Sequence, residues 1–221
     1  AYMGCRTRVM GNHYDPSREV TCGRGNLSFT SINLPRIGIQ AKGDIEEFYR
    51  ILDQRVELVV RQLLHRFKIQ AAKKCRNYPF LMGQGVWIDS DRLGIDDTIE
   101  EVIKHGTLSV GFIGLAETLV ALTGKHHGES EESQKLGLEI VGHMRKLMDD
   151  ESEKTGLNFT LLATPAEGLS GRFVRIDREM FGSIPGITDR DYYTNSFHVP
   201  VYYPLKAFQK IQIEGPYHAL T

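Results

Sequence analysis

Short apolar runs alternate along this chain with long stretches of helical periodicity, and that order admits few folds. Residues 27–34 set apolar side chains against polar ones and predict a strand, stopped by Pro35. Residues 108–115 predict a buried strand entering a helix through Ala121, and residues 157–163 predict another. Between the first two, Asp44 and Glu47 are spaced as a capping box that opens a long helix running to about Lys74. Phe48, Leu52, Val56, Val59, Leu63 and Phe67 recur at three- and four-residue steps, so one face of that helix is buried. Before the third strand, residues 129–148 predict an amphipathic helix, followed by a charged, solvated turn over 149–155. Strands separated by helices of this length pair in parallel, so the fold class is α/β.

The intervening stretches are less regular. Residues 1–25 are rich in Gly, Asn, Asp, Pro and Ser and predict loop. Residues 80–88 predict a short strand or an irregular crossing, and residues 96–104 a short helix with Asp96 or Asp97 near its cap. A Pro/Gly/Ser loop follows over 164–171, then a short helix near Asp177, a strand-like run over 192–201, and helix or extended tail over 205–213. There is no internal repeat and no linker, so residues 1–221 form one domain piece: 1–25 loop, 26–221 strands and helices. Both ends are abrupt, as in a piece of a longer polypeptide.

The 221 residues are 41% hydrophobic and 25% charged, a soluble globular composition. A net charge of -1 gives no basic field for nucleic acid, and no apolar run is long enough to cross a bilayer. Cys5, Cys22 and Cys75 cannot all pair and form no CxxC, which points to free thiols and a reducing cytoplasm, with no signal peptide.

Cys5 lies between a glycine and an arginine in a turn-rich stretch, placed to present sulfur at a loop tip; the competing reading is a partly buried loop cysteine. Asn26 has an amide able to donate and accept at once, for a ligand or for its own turn. Asn33 is placed to hydrogen-bond at a strand end. Thr164-Pro165-Ala166-Glu167-Gly168-Leu169-Ser170-Gly171 joins a strand to a helix, where backbone amides bind phosphate or simply make a connection. It lacks the Gly-Lys-Ser/Thr of a Walker loop. Thr194-Asn195-Ser196-Phe197-His198 puts polar groups in an apolar run and can line a pocket; His198 is a candidate acid/base or a core-satisfying imidazole. His126 and His127 read as surface residues beside glycines, and no cysteine or histidine spacing suits a metal. Gly111 and Gly114 suit close backbone packing where a strand meets a helix.

Four blocks carry a resemblance: Met3-Gly4-Cys5-Arg6-Thr7, Gly25-Asn26-Leu27-Ser28-Phe29-Thr30-Ser31-Ile32-Asn33-Leu34-Pro35-Arg36, Thr164-Pro165-Ala166-Glu167-Gly168 and Tyr193-Thr194-Asn195-Ser196-Phe197-His198-Val199-Pro200-Val201. In this order and spacing they resemble the large subunit of anaerobic, class III ribonucleoside-triphosphate reductases. The resemblance implies a glycyl-radical enzyme with a ten-stranded α/β barrel around a finger loop, of which this chain would carry the finger loop and about half the barrel. It implies that Cys5 forms the thiyl radical, that Asn26 orients substrate and formate, and that the nucleotide meets Thr164, Ala166, Gly168 and Ser170 through its phosphates and Asn195, Ser196 and His198 elsewhere. Formate is the implied reductant, with a thiol-dependent variant as the other possibility. A radical S-adenosylmethionine activase and a homodimer of the whole enzyme are implied partners. The family's radical glycine and four-cysteine zinc segment have no counterpart among these residues, so the piece alone is expected to be inactive and to hold no cofactor. Two other readings stand beside this one: a non-catalytic nucleotide-binding or assembly module, and a formate-lyase-like acyltransferase, whose adjacent cysteine pair is not seen.

Overall fold

The computed structural model describes residue 9 and residues 11–221. Cys5 and its block therefore lie outside the described residues. The elements run β1 (Asn26–Asn33), α1 (Leu34–Ala41), α2 (Ile45–Ala71), α3 (Glu100–Ile103), β2 (Thr107–Ile113), α4 (Leu115–Thr123), α5 (Glu131–Thr155), β3 (Asn158–Ala163), α6 (Gly168–Phe181) and α7 (Ala207–His218). The strands form one parallel sheet in the order β1-β2-β3, with helices in each crossover. β2 is buried at every position, as a central strand covered on both faces must be.

The described chain forms two compact units. One contains the described residues as far as Thr30, with Leu58–Val110 and Leu147–Thr160. The other contains Ser31–Glu57, Gly111–Lys146 and Leu161–Thr221.

In the first unit the described part of the N-terminal loop is packed rather than loose. Asn12 is 2% exposed, and its amide nitrogen lies 2.9 Å from His105 Nδ1. Asn158 accepts from the His13 amide at 2.6 Å and donates to Asn12 Oδ1 at 3.3 Å. Arg24 Nε donates to the His105 carbonyl at 2.7 Å. The crossing over residues 80–88 is a run of turns, closed by the Trp87 indole donating to the Val102 carbonyl at 2.7 Å. Ile99 stands at the N-cap of the short helix α3, and Asp97, two residues before it, accepts from the Gly94 amide at 2.8 Å in a turn of its own.

In the second unit Pro35 both stops β1 and sits in the first turn of α1, where its missing N–H is of no consequence. Asn33 caps this helix by accepting from the Arg36 amide at 3.3 Å. Only half of the expected capping box forms at α2. Asp44 accepts from the Glu47 amide at 3.0 Å, but the Asp44 amide donates to the Ala41 carbonyl at 2.9 Å, and Glu47 accepts from the Arg50 guanidinium instead, with both bonds at 2.6 Å. The six apolar residues of the predicted α2 stripe are all buried. Each such side chain contributes on the order of 2 kcal/mol.

Helix α2 ends at Ala71, short of Lys74. α5 continues to Thr155 instead of turning at 149. Glu151, Glu153 and Lys154 of its charged tail are good helix formers, while Ser152 is buried and donates to the Met148 carbonyl. The 164–171 loop is shorter than expected, since α6 begins at Gly168 and is a full fourteen-residue helix. Residues 192–201 form no strand; one bridge, Ile113 with Asn195, replaces the ladder. Ser196 takes φ 41° and Pro200 lacks an N–H, so extended pairing is interrupted twice. His126 and His127 are buried, at 4% and 2% exposure, contrary to a surface reading. Aromatic rings hold them there: Tyr203 packs edge-on to His126 and Tyr217 edge-on to His127.

Candidate functional site

In an open parallel sheet, ligands collect outside the carboxyl ends of the strands. Here those ends lead into Asn33, Gly114 and Thr164, all in the second unit. Gly111 lets β2 pass its neighbours: a Cβ there would collide with Thr164 Oγ1 and stand 2.9 Å from Ser31 Oγ, two hydroxyls that are themselves 2.9 Å apart. Gly114 adopts φ 80°, a conformation other residues rarely take, with Pro35 packed against it. Both glycines thus do what their place at the strand-to-helix junction predicts.

A cavity of about 360 Å³ opens beside the 164–167 loop and is lined by Glu167, Ser170, Tyr192, Thr194, Asn195, His198, Lys210 and Glu214, among others. Of the residues expected at a ligand site, Ser170, Asn195 and His198 line it. Ala166 is buried and joins the two site segments, its amide donating to Asn195 Oδ1 at 3.2 Å. That amide is therefore occupied by protein. Thr164 is buried against Ser31, Ser196 is 2% exposed, and Gly168 is exposed in the first turn of α6. Ser170 Oγ donates to the Glu167 carbonyl at 2.7 Å, tightening that turn. Glu167 and Ser196 both have φ near 40°, so each site segment contains a backbone position held against its preference.

Asn26 belongs to the first unit. Its amide nitrogen donates to Ser109 Oγ at 2.9 Å, Ser109 Oγ lies 2.9 Å from Thr160 Oγ1, and its own oxygen accepts from the Ser28 amide at 3.0 Å. Its side chain thus takes part in a polar ladder across all three strands.

Three carboxylates that sequence reasoning passed over shape the second-unit site. Glu117 Oε1 accepts from Thr194 N at 2.8 Å and Thr194 Oγ1 at 2.7 Å, while its other oxygen is buried without a partner. Burial pushes this carboxyl above the usual range, against the pull of the two Thr194 bonds. Asp177, fully buried, accepts from Tyr193 OH and Asn33 Nδ2, each at 2.8 Å, and from Arg36 Nε at 2.6 Å. Burial and the adjacent Asp177 together push the Tyr193 phenol well up. Glu214 accepts from Val199 N at 2.8 Å and lies 3.0 Å from His198 Nδ1 and 3.2 Å from Lys210 Nζ. Burial alone would raise its carboxyl, but the Val199 amide, His198 and Lys210 outweigh that and hold it low. One signal was available in the sequence: Glu117 is the one charged residue between 105 and 124, in an otherwise apolar run. Among the described residues no cluster of three or more His, Cys, Asp or Glu is arranged to hold a metal ion.

The profile of the family described as anaerobic ribonucleoside-triphosphate reductase matches residues 1–221, the whole chain. The chain belongs to this family. It is 39% identical over 222 residues to the anaerobic ribonucleoside-triphosphate reductase of Escherichia coli K12, covering 99% of this chain and 31% of that protein. It is 34% identical to that of enterobacteria phage T4, covering 99% of this chain and 35% of the relative. The chain thus spans about a third of the length of these relatives. Among solved structures, the anaerobic ribonucleotide reductase of Thermotoga maritima with MES in the active site superposes with a TM-score of 0.70 at 20% identity, over 90% of this chain and 31% of that one. The same enzyme in complex with dATP and CTP gives 0.68 over equal shares. The fold is part of that α/β barrel. No described helix is long and apolar enough to cross a membrane.

Proposed function

We propose that these residues form part of the catalytic barrel of an enzyme that reduces ribonucleoside triphosphates to 2′-deoxyribonucleoside triphosphates. One observation carries this reading: in a chain matched end to end by the reductase family, the 164–168 loop and the 193–198 segment meet at one cavity. The Ala166 amide is taken by Asn195, and the Leu169 and Ser170 amides donate to the Ala166 and Glu167 carbonyls, so the phosphates fall to the Gly168 amide at the start of α6, aided by the positive end of that helix. Ser170, Asn195 and His198 offer hydroxyl, amide and imidazole to the rest of the nucleotide.

Cys5 is the thiyl that removes hydrogen from C3′, which makes loss of the 2′-hydroxyl as water feasible. S–H and ribose C–H bonds are close in strength, so the hydrogen returns at the end. Formate supplies the two electrons and leaves as carbon dioxide, and Asn26 orients it with the substrate. A glycyl radical, installed by a radical S-adenosylmethionine activase, supplies the initial hydrogen abstraction when present. It and a four-cysteine zinc site belong to residues other than these 221, whose three cysteines are too few for such a site. The working enzyme is a cytoplasmic homodimer, and its product feeds DNA replication.

The test is Cys5→Ser in the full-length polypeptide, activated anaerobically with formate and a ribonucleoside triphosphate. Deoxynucleotide formation should fall by at least about 10⁴-fold, with nucleotide binding kept. Undiminished synthesis would refute the assignment.

A further inference from the structure

Residues 193–199 are an irregular segment in a buried place. With no strand ladder, their backbone N–H groups need other acceptors. Carboxylates suit this, since each takes several donors at once. Three buried carboxylates, one from each of three helices, meet the segment in succession. Asp177 of α6 takes the Tyr193 hydroxyl, Glu117 of α4 takes the Thr194 amide and hydroxyl, and Glu214 of α7 takes the Val199 amide and His198 Nδ1. Their exposures are 0%, 4% and 8%. The carbonyl side is pinned as well: Thr194 and Ser196 accept from the Gly114 and Leu115 amides at 2.9 and 3.0 Å. A segment that also contains the strained Ser196 keeps that conformation only when its surroundings over-determine it. Asn195 Oδ1 on the Ala166 amide ties it to the 164–167 loop, and the Tyr193 amide reaches the Ser170 carbonyl of α6 at 3.5 Å.

We propose that Glu117, Asp177 and Glu214 are positioning residues, holding 193–199 so that Asn195 fixes the Ala166 amide and, through it, the opening turn of α6. This rests on the reading of that turn as the phosphate end of a nucleotide site. It assigns to Asn195 a bracing task rather than only a ligand contact. Glu117 does not line the cavity and acts through Thr194. Its second oxygen makes no hydrogen bond, and the two bonds its first oxygen accepts are ones a neutral side-chain amide oxygen also accepts.

The experiment is equilibrium binding of CTP to the full-length polypeptide, without radical activation, for Glu117→Gln, Glu117→Leu, Asn195→Ala and the Leu/Ala double variant. Glu117→Gln keeps an acceptor for both Thr194 donors and should bind within about threefold of the unsubstituted chain. Glu117→Leu and Asn195→Ala should each weaken CTP about tenfold, and the double variant no further than about the worse single, since both release the same amide. Losses that multiply in the double variant, or a Leu variant that folds and binds normally, would overturn the proposal. If Glu117→Leu does not fold, Tyr193→Phe, which deletes only the hydroxyl on Asp177, replaces it in the same cycle with the same criterion. A role confined to stability would lower unfolding midpoints without coupling to Asn195 in CTP affinity. An unsubstituted chain that does not bind CTP removes this proposal and the functional reading together, whereas binding with multiplicative losses removes only this one.

Discussion

Acidification should destabilise this chain through His127. The imidazole is 2% exposed, donates through Nε2 to the Phe197 carbonyl at 2.7 Å, and buries Nδ1 without a partner. Burial lowers its native pKa to about 4, against an ordinary value of about 6.5 in the unfolded chain. The unfolded state therefore binds the extra proton first, and stability is lost as pH falls below about 6.5 and rises again as pH rises. At pH 7 the two states differ little. At pH 5 the unfolded imidazole is almost wholly charged and the native one mostly neutral, so the penalty is about 2 kcal/mol. Below about pH 4 it levels off near 3 kcal/mol, where the native ring is charged too. The assay is urea unfolding at pH 7 and pH 5, for the unsubstituted chain and for His127→Phe. The phenyl ring keeps the edge-on packing against Tyr217 but cannot titrate. It forfeits the bond to Phe197, so the variant should be less stable at pH 7 by about 1–3 kcal/mol. Its loss between pH 7 and pH 5 should nevertheless be about 2 kcal/mol smaller than that of the unsubstituted chain, with the other histidines common to both. Equal pH dependence in the two chains would refute the argument that this ring is held neutral by burial.

Two further outcomes are expected. Gly111→Ala should destabilise by about 1–3 kcal/mol or more in urea unfolding, because its methyl meets Thr164 and Ser31 in a close-packed sheet; an unchanged midpoint would contradict the close approach. In a Cys5→Ser background a thiol reagent should label Cys22, which is exposed, at once, and Cys75, which is 3% exposed, only on unfolding; two equally fast thiols would contradict the burial of Cys75.

The parts of the fold read from sequence are those where one periodicity dominates a long stretch. The α2 stripe from Phe48 to Phe67 and the unbroken apolarity of β2 leave no competing structure. Boundaries were harder where two rules pull apart. The charged residues after Met148 suggest a solvated turn, yet Glu and Lys are good helix formers, and α5 simply continues, with Glu153 and Lys154 outward. Residues 192–201 look like a strand by composition, but side chains from two helices, Glu117 of α4 and Glu214 of α7, satisfy backbone amides there in place of a neighbouring strand. The cavity followed the same division. Ser170, Asn195 and His198 were legible as polar residues in unusual settings, whereas Glu117, Asp177 and Glu214 sit on helices, where acidic residues are normally read as solvated. The same bias misplaced His126 and His127, because nothing local reveals that Tyr203 and Tyr217 fold over them.

Asn33 ends β1, caps α1 and donates its amide nitrogen to Asp177. Capping statistics treat asparagine and aspartate as near equals. Here they are not interchangeable, because aspartate would keep the cap while setting a second negative charge against a carboxylate that has no water to disperse it. A redesign that polished helix ends by propensity alone would damage this junction while scoring it as improved.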